Sequence, residues 1–254
     1  MKFGRKKKTT LPPSAFTPAP WKSPDPSLAT QLQDLLDPAL ERALREQQLP
    51  SIVRTVGPGL WLFPLFSPEA CERLMAVIDH RLDWQRSNPQ RPPNSMHHAG
   101  VVFEPMGLLP AIARIRNRVV NPFAADLFPE FKPLERDYAF SATYGPGLDR
   151  RLGFHVDDSD VTLNACLGRS YTGGEVIFQG RRCGIHRQEN HRPDEEVRIT
   201  VPNGHGLLHA GNHRHLVNAV EGERRNLIVW SRSANSTDGQ DEGVCPDWCG
   251  HQGR

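Results

Sequence analysis

The chain lacks a long hydrophobic run. No window of its 254 residues approaches eighteen consecutive apolar residues, which is about the minimum that a membrane-spanning helix requires. The N-terminus opens with the charged stretch "MKFGRKKKTT", and the apolar segment that follows such a start in a secretory signal does not appear. We therefore expect an intracellular protein, cytoplasmic or nuclear, that acts outside the membrane.

The chain is also poor in cysteine and in net charge. Its five cysteines are an odd number scattered along the sequence, an arrangement that suits reduced thiols better than a disulfide framework. The 31 basic and 29 acidic residues leave a net charge of +2, so no strong overall field attracts nucleic acid. Nucleic acid is thus the less favoured partner, and partners must be inferred from individual sites.

Composition divides the chain into four parts. Residues 1–27 combine a basic cluster with repeated prolines and few large apolar side chains, which predicts a disordered tail. Residues 28–58 are typical of an N-terminal helical extension, and residues 59–233 of a main domain whose β-rich core begins near residue 137. Residues 234–254 read as a linker and a cysteine-containing tail.

Before residue 137, three segments show apolar residues at helical spacing. "PSLATQLQDLLDPALERALREQQ" predicts a helix capped by Ser27 and interrupted near Pro38. "SPEACERLMAVIDHRL" predicts a helix that begins at Ser67 and Pro68. "LLPAIARIRNRVVNPFAADLF" predicts one long helix or two shorter ones, and "HHAGVVFEPMG" before it reads as a strand.

After residue 137 the sequence changes to short β-branched or aromatic segments separated by glycine-rich or polar breaks. They are "DYAFSATYG", "VTLNACLG", "GEVIFQG", "GHGLLHAG", "HLVNAV" and "RNLIVWS". This pattern is typical of an all-β sandwich or barrel. The sequence therefore predicts an α+β protein in which helices pack on a compact double-sheet core.

The stretch "GFHVDDS" contains a histidine and a carboxylate two residues apart. Side chains alternate in an extended segment, so His155 and Asp157 point to the same side and can bind one ion. Two histidines and one carboxylate form the facial triad of non-haem iron(II) sites. The third ligand can come from "LLHAGNHRHLV", where His209, His213 and His215 share the same parity, so alternation does not choose among them.

An arginine supplies a second anchor. In "GERRNLIVW", Arg224 begins a strand and would be an unpaired buried charge inside a barrel unless it bound an acidic ligand. A guanidinium is well suited to hold a carboxylate at two points. Arg225, the next residue, is expected to face away.

In these motifs the sequence resembles the iron(II)- and 2-oxoglutarate-dependent dioxygenases, in particular the prolyl- and lysyl-hydroxylase-like branch with its double-stranded β-helix (jelly-roll) core. The family's histidine-x-aspartate, distal histidine, arginine and following tryptophan correspond to His155, Asp157, His215, Arg224 and Trp230. The motifs "GGEVIF" and "YGPG" also match, and the resemblance covers roughly residues 60–233. Arg225 stands where many prolyl hydroxylases have tyrosine.

The resemblance implies a reaction and its cofactors. Fe(II) would be bound by His155, Asp157 and His215, and 2-oxoglutarate by Arg224, with Tyr144 and Asn164 as further candidate contacts. Ascorbate is a candidate reductant. The implied reaction is hydroxylation of a C–H bond, with a prolyl or lysyl side chain of a protein or peptide as the expected substrate. The alternative is a non-catalytic jelly-roll module that binds or senses through the same residues.

Two further groups carry weaker signals. Cys245, Cys249 and His251 suggest a zinc site, but a structural zinc usually needs four ligands, so Cys183 or another chain would have to contribute. The adjacent residues His97 and His98 are expected in a solvated loop, with a loop over the pocket mouth that contacts substrate as the alternative.

Overall fold

The computed structural model describes residues 20–131, 133–186, 188–234, 236 and 245–251. Most of the predicted tail and most of the predicted linker lie outside these residues. Residues 20–27 are packed on the domain: Trp21 Nε1 donates to His80 Nδ1 over 3.2 Å, and Asp25 pairs with Arg73 at 2.7 Å. The packed part of the chain therefore begins before residue 28.

The described residues of the first half of the chain form five α-helices. They are α1 (Leu28–Gln31), α2 (Pro38–Arg45), α3 (Pro68–Ser87), α4 (Leu109–Ile115) and α5 (Asn121–Leu127). A π-helical turn, Arg116–Val120, joins α4 to α5, so the predicted long helix is present as a pair. The predicted interruption near Pro38 is also present, because a 3-10 turn, Leu32–Asp34, follows α1 and α2 starts only at Pro38.

Of the two predicted N-cap residues, one makes a capping hydrogen bond with its side chain. The Ser67 side chain accepts a hydrogen bond from the Ala70 amide at 3.2 Å, with Pro68 in the first turn. Ser27 is the N-cap residue of α1, as predicted, but its side chain makes no capping hydrogen bond because its hydroxyl donates to Asp25. The Asp25 carboxylate accepts from the Leu28 amide at 3.2 Å in its place.

Twelve strands make up the rest of the described fold. They are β1 (Arg54–Gly57), β2 (Leu60–Pro64), β3 (Leu134–Tyr144), β4 (Leu152–His155), β5 (Val161–Gly168), β6 (Tyr171–Gly173), β7 (Val176–Arg181), β8 (Glu196–Ile199), β9 (His205–Ala210), β10 (His213–Val217), β11 (Val220–Gly222) and β12 (Arg224–Ser233). Their pairings are antiparallel. The six-stranded major sheet runs β1-β2-β9-β5-β12-β3 and the four-stranded minor sheet runs β4-β10-β7-β8. The fold is the predicted α+β jelly roll.

The major sheet separates the helices from the inside of the jelly roll. Alternate residues of its strands, such as Leu163 and Ala165 of β5, join the helices' apolar side chains in one large buried cluster. The residues between them, such as Asn164, face the minor sheet. The helices thus brace one face of the sheet and leave the other face for a site.

The prediction of a strand at 97–107 is wrong. Only an isolated bridge joins Val102 to Phe140, and a 3-10 turn, Glu104–Met106, follows it. The Phe103 and Ser141 amides donate across to Ala139 and Val101 carbonyls at 2.9 and 2.8 Å. The segment thus follows the edge of β3 through scattered hydrogen bonds without forming a regular ladder.

Candidate metal centre

Two neighbouring strands of the minor sheet bring the candidate ligands together. His155 ends β4 and is the direct cross-strand partner of His215 in β10. Their ring centroids are 4.2 Å apart. Asp157 lies two residues beyond β4, and its amide donates to the Gly211 carbonyl at 2.9 Å, which holds it beside the turn that leads into β10.

The ligand atoms of these three residues lie within 4.8 Å of one another. His155 Nε2 is 3.5 Å from Asp157 Oδ1, and His215 Nε2 is 3.8 Å from Asp157 Oδ2. All three side chains are largely buried. The sequence therefore brings two imidazole nitrogens and a carboxylate to one point on the inside of the jelly roll.

Hydrogen bonds behind the ligands orient them for a metal. Nδ1 of His155 lies 2.8 Å from the Gly153 carbonyl, and Nδ1 of His215 lies 2.9 Å from the His213 carbonyl. A carbonyl can only accept, so each Nδ1 carries the proton and each Nε2 presents a lone pair, as in metal-bound histidines. The residues present therefore fit a divalent metal ion.

The protonation states also fit. Burial, and then the charge of His155, lower the pKa of His215 to about 3. Burial raises the pKa of Asp157, but the charge of His215 and the hydrogen bond to His155 outweigh it, so this pKa lies well below its ordinary value. A neutral imidazole and an anionic carboxylate at neutral pH are the forms that bind metal.

The two other histidines of the predicted set occupy different places. His209 Nε2 is also 3.8 Å from Asp157 Oδ2, but among the described residues it does not join the mutually close group of His155, Asp157 and His215. Its fully buried Nε2 has no hydrogen-bond partner. His213 packs edge-on against Phe178, with centroids 4.8 Å apart.

A cavity of about 180 Å³ opens above the three ligands. Aromatic and aliphatic side chains of β3 and β12, among them Tyr144, Ile228 and Trp230, form one wall. The loop that follows α3 contributes Met96 and His97. A mainly apolar pocket with a few converging polar groups is typical of a small-molecule site.

Arg224 is on the same face of β12 as Ile228 and Trp230 but does not line the cavity. The side chain is 1% exposed, its Nη1 donates to the Gly174 carbonyl, and its guanidinium carbon is 5.3 Å from the Tyr171 ring centroid. Among the described residues no carboxylate pairs with it, and its Nε has no hydrogen-bond partner. A buried cation in this state is under-satisfied and favours an anionic ligand.

The remaining candidates line the cavity or support it. Tyr144 is the cross-strand partner of Arg224, and burial, partly offset by the charge of Arg224, raises its pKa to about 12. Asn164 lines the cavity, and its Oδ1 accepts from Asn226 Nδ2 at 2.6 Å. Arg225 faces away as predicted, because its Nε donates to Asp79 of α3 at 3.0 Å.

The sequence reasoning missed Thr162, and for His97 it favoured a solvated loop over a loop at the pocket mouth. His97, expected in a solvated loop, is 1% exposed and its Nε2 accepts from the Thr143 amide at 3.0 Å, whereas its neighbour His98 is exposed. Thr162 donates to Asp157 Oδ2 at 2.7 Å. The only sequence signal for Thr162 was its parity with Asn164 on β5, because the contact with Asp157 depends on tertiary packing.

The cysteine-rich tail forms a separate cluster. Cys245 and Cys249 lie beside Cys183 and His186, and His251 stacks on His186 with centroids 4.3 Å apart. This cluster shares no residue with the metal triad.

Comparison with known proteins agrees with this geometry. Residues 23–132 match the family described as the OGFOD2-like domain. The chain is 37% identical over 200 residues to the 2-oxoglutarate and iron-dependent oxygenase domain-containing protein ICU11 of Arabidopsis thaliana, covering 76% of this chain and 50% of that relative. It is 31% identical over 195 residues to the human 2-oxoglutarate and iron-dependent oxygenase domain-containing protein 2, covering 75% and 52%.

The chain thus spans about half the length of these two relatives. Among solved structures, the non-heme alpha ketoglutarate dependent carbocyclase SnoK from nogalamycin biosynthesis superposes with a TM-score of 0.50 at 13% identity. The superposition covers 80% of this chain and 86% of SnoK. At this identity the likeness concerns the fold alone.

Proposed function

Because this chain belongs to the family of 2-oxoglutarate- and iron-dependent oxygenases, we propose that it hydroxylates a C–H bond in a protein or peptide side chain of the prolyl or lysyl type. The observation that carries the proposal is the convergence of His155, Asp157 and His215 at the base of a cavity. Arg224 would hold 2-oxoglutarate.

When bound, Fe(II) and 2-oxoglutarate supply the oxidative chemistry: O2 oxidises 2-oxoglutarate to succinate and CO2 and delivers its other oxygen atom to the substrate C–H bond. The three ligands would hold the ion, and Thr162 fixes the Asp157 carboxylate through its hydroxyl. The apolar wall excludes water from the reacting bond. Arg224 would take the carboxylate of 2-oxoglutarate that is remote from the metal.

The cavity mouth supports a polypeptide substrate. Met96 lines the cavity, and Phe154 directly precedes the candidate ligand His155 in the chain. Both residues are more than two-fifths exposed. A groove lined by Tyr138, Asp158 and Trp230 adjoins the cavity and shares Asp158 and Trp230 with it. Apolar and aromatic surface suits a peptide.

Turnover separates this proposal from a module that only binds. We expect succinate release from 2-oxoglutarate with Fe(II), O2 and ascorbate as reductant, and added oxygen in peptides from a library presenting prolyl or lysyl residues. If the wild type formed succinate no faster than the Asp157→Ala variant, the result would instead favour the non-catalytic module. Succinate formation without oxygen addition to any peptide would contradict the assigned substrate class while leaving the oxygenase reaction intact.

A further inference from the structure

The C-terminal segment brings together a second set of metal-binding side chains. Cys183 and His186 lie in the loop that follows β7, and Cys245 and Cys249 lie in the segment 245–251. Their four ligand atoms lie within 4.8 Å of one another. None of the chain's five cysteines, all among the described residues, forms a disulfide.

The distances match tetrahedral zinc. His186 Nδ1 is 3.2 Å from Cys183 Sγ and 3.5 Å from both Cys245 Sγ and Cys249 Sγ. Zn–N bonds of about 2.0 Å and Zn–S bonds of about 2.3 Å at tetrahedral angles place nitrogen and sulfur roughly 3.5 Å apart. One imidazole nitrogen thus stands at about the required distance from three sulfurs at once.

The spacing along the chain is also that of a zinc site. Two residues separate Cys183 from His186, and three separate Cys245 from Cys249. Short spacings of this kind, with one ligand pair on each of two segments, are typical of structural zinc. Three thiolates and one imidazole are soft enough to select zinc over the harder divalent ions.

Contacts other than the ligands already hold the tail in position. The Gly250 amide donates to the Arg181 carbonyl at 3.0 Å, and Arg192 Nη1 donates to the Gly250 carbonyl at 2.8 Å. The Arg181 guanidinium carbon lies 4.3 Å from the Trp248 ring centroid. The Cys183 amide points at Cys249 Sγ over 3.4 Å, the kind of N–H···S contact that supports a metal-bound thiolate.

Gly250 allows this close approach. A Cβ at position 250 would lie 2.6 Å from Glu195 Oε1 and 2.8 Å from Arg182 Nη1, and these two residues are a buried ion pair. The absence of a side chain therefore lets the segment lie against the Arg182–Glu195 pair, which brings Cys249 next to Cys183.

We propose that Cys183, His186, Cys245 and Cys249 bind one Zn²⁺ and pin the C-terminal segment to the end of the minor sheet. Four protein ligands leave no position open for a substrate, so the ion is structural. His186 takes the place predicted for His251, which is 3.2 Å from Cys245 Sγ but stays outside the mutually close group and stacks on His186.

The site would also brace the strand that carries the distal iron ligand. Arg181, two residues before Cys183, is the cross-strand partner of His213 at the start of β10. Its Nε donates to Asn212 Oδ1 at 2.9 Å. Zinc binding would therefore steady β10 two residues from His215, although the zinc proposal itself is independent of the proposed reaction.

The test is the zinc content of the full chain in an Asp157→Ala background, which removes the iron site as a competing ligand set. We expect one zinc ion per chain after dialysis, with an X-ray absorption shell of three sulfurs and one nitrogen at about 2.3 and about 2.0 Å. Cys249→Ser should lose the ion, whereas His251→Gln and Cys71→Ala should keep it.

Cobalt substitution of the wild-type chain provides the same test without a variant that could fail to fold. The thiolate-to-cobalt charge-transfer band and the intense visible bands of a tetrahedral site are expected. Folded protein that takes up zinc or cobalt only at the iron site would overturn the proposal. So would zinc retained by Cys249→Ser, or a shell with two nitrogens, which would restore His251 as a ligand.

Discussion

The proposed iron site depends most on Asp157. This residue is the single anion of the triad, it contacts both histidine ligands, and Thr162 and the Gly211 carbonyl fix its side chain and its amide. Its neighbour Asp158 has the same charge but is 78% exposed and pairs with Arg232. Asp157 and Asp158 are thus neighbouring carboxylates, of which only Asp157 faces the two histidines of the proposed metal site.

We expect Asp157→Ala to weaken Fe(II) binding more than about a hundredfold, because removing a ligand should exceed the effect of removing an outer contact. Asp158→Ala should bind Fe(II) like the wild type. Isothermal titration with Fe(II) under anaerobic conditions measures both. Equal affinities in the two variants would remove Asp157 from the site.

Arg224 is expected to act on the cosubstrate. Loss of a charge-assisted contact costs roughly 1.5–3 kcal/mol, so Arg224→Ala should raise the KM for 2-oxoglutarate by roughly ten- to a hundredfold. Arg225→Ala is the control, since that side chain pairs with Asp79 on the helix side of the sheet. Arg225→Ala should lower the thermal stability and leave the KM for 2-oxoglutarate unchanged. If Arg225→Ala raised this KM and Arg224→Ala did not, Arg225 would be the residue that binds 2-oxoglutarate.

At the scale of elements, the turn between β6 and β7 positions that arginine. Gly174 has a φ of +72°, and a Cβ there would lie 2.7 Å from Arg224 Nη1. Gly107 has the same φ with open space around it. Both changes to alanine carry a similar left-handed backbone penalty of about 1 kcal/mol, but only Gly174→Ala displaces the guanidinium.

Gly174→Ala should therefore raise the KM for 2-oxoglutarate beyond the value for Gly107→Ala, while the melting temperatures of the two variants fall similarly. Steady-state kinetics and thermal unfolding separate the two effects. Identical KM values in both variants would show that the turn does not position Arg224.

The elements themselves were predictable to different degrees. Periodicity predicted α3 and the break before α2, because the spacing of buried residues such as Leu74 and Ile78 is a local property. It failed at 97–107, where apolar side chains suggested a strand but the hydrogen bonds to β3 are scattered. Spacing found His155 and Asp157 but left three histidines open for the third ligand. The family resemblance pointed to His215, and the pairing of β4 with β10 places His215 opposite His155.

At the scale of the whole molecule, buried neutral histidines link folding to pH. Burial lowers the pKa of His209, His213 and His215 below the ordinary value of 6.5. Below about pH 6.5 the unfolded chain therefore binds protons that the native chain excludes, and stability falls as pH falls. Burial also lowers the pKa of His155, but the hydrogen bond and the charge of Asp157, with backbone hydrogen bonds, together raise it above its ordinary value, so this group opposes the trend.

We expect the free energy of unfolding of the metal-free protein to decrease by several kcal/mol between about pH 6.5 and pH 4. Each unit of difference between the native and the unfolded pKa of a histidine contributes about 1.4 kcal/mol. His213→Gln, which removes one of these groups and no triad ligand, should flatten the dependence. Urea unfolding followed by circular dichroism measures it. A stability that rises toward pH 4 would contradict the assignment of neutral buried histidines.

Among the described residues no helix is long and apolar enough to cross a membrane. The helices instead cover the outer face of the major sheet. The inner face holds a cavity with the three candidate metal ligands at its base. Arg224 is buried on the same inner face, without a carboxylate partner among the described residues. An anionic cosubstrate would join these two features by touching both.

Anaerobic titration of the metal-free protein with Fe(II) and 2-oxoglutarate tests this account most directly, because the weak visible charge-transfer band of the chelate requires the metal and the cosubstrate in one site. We expect the band in the wild type and in Asp158→Ala, its loss in Asp157→Ala, and a higher 2-oxoglutarate requirement in Arg224→Ala. Correctly folded wild-type protein that gives no band would contradict the account.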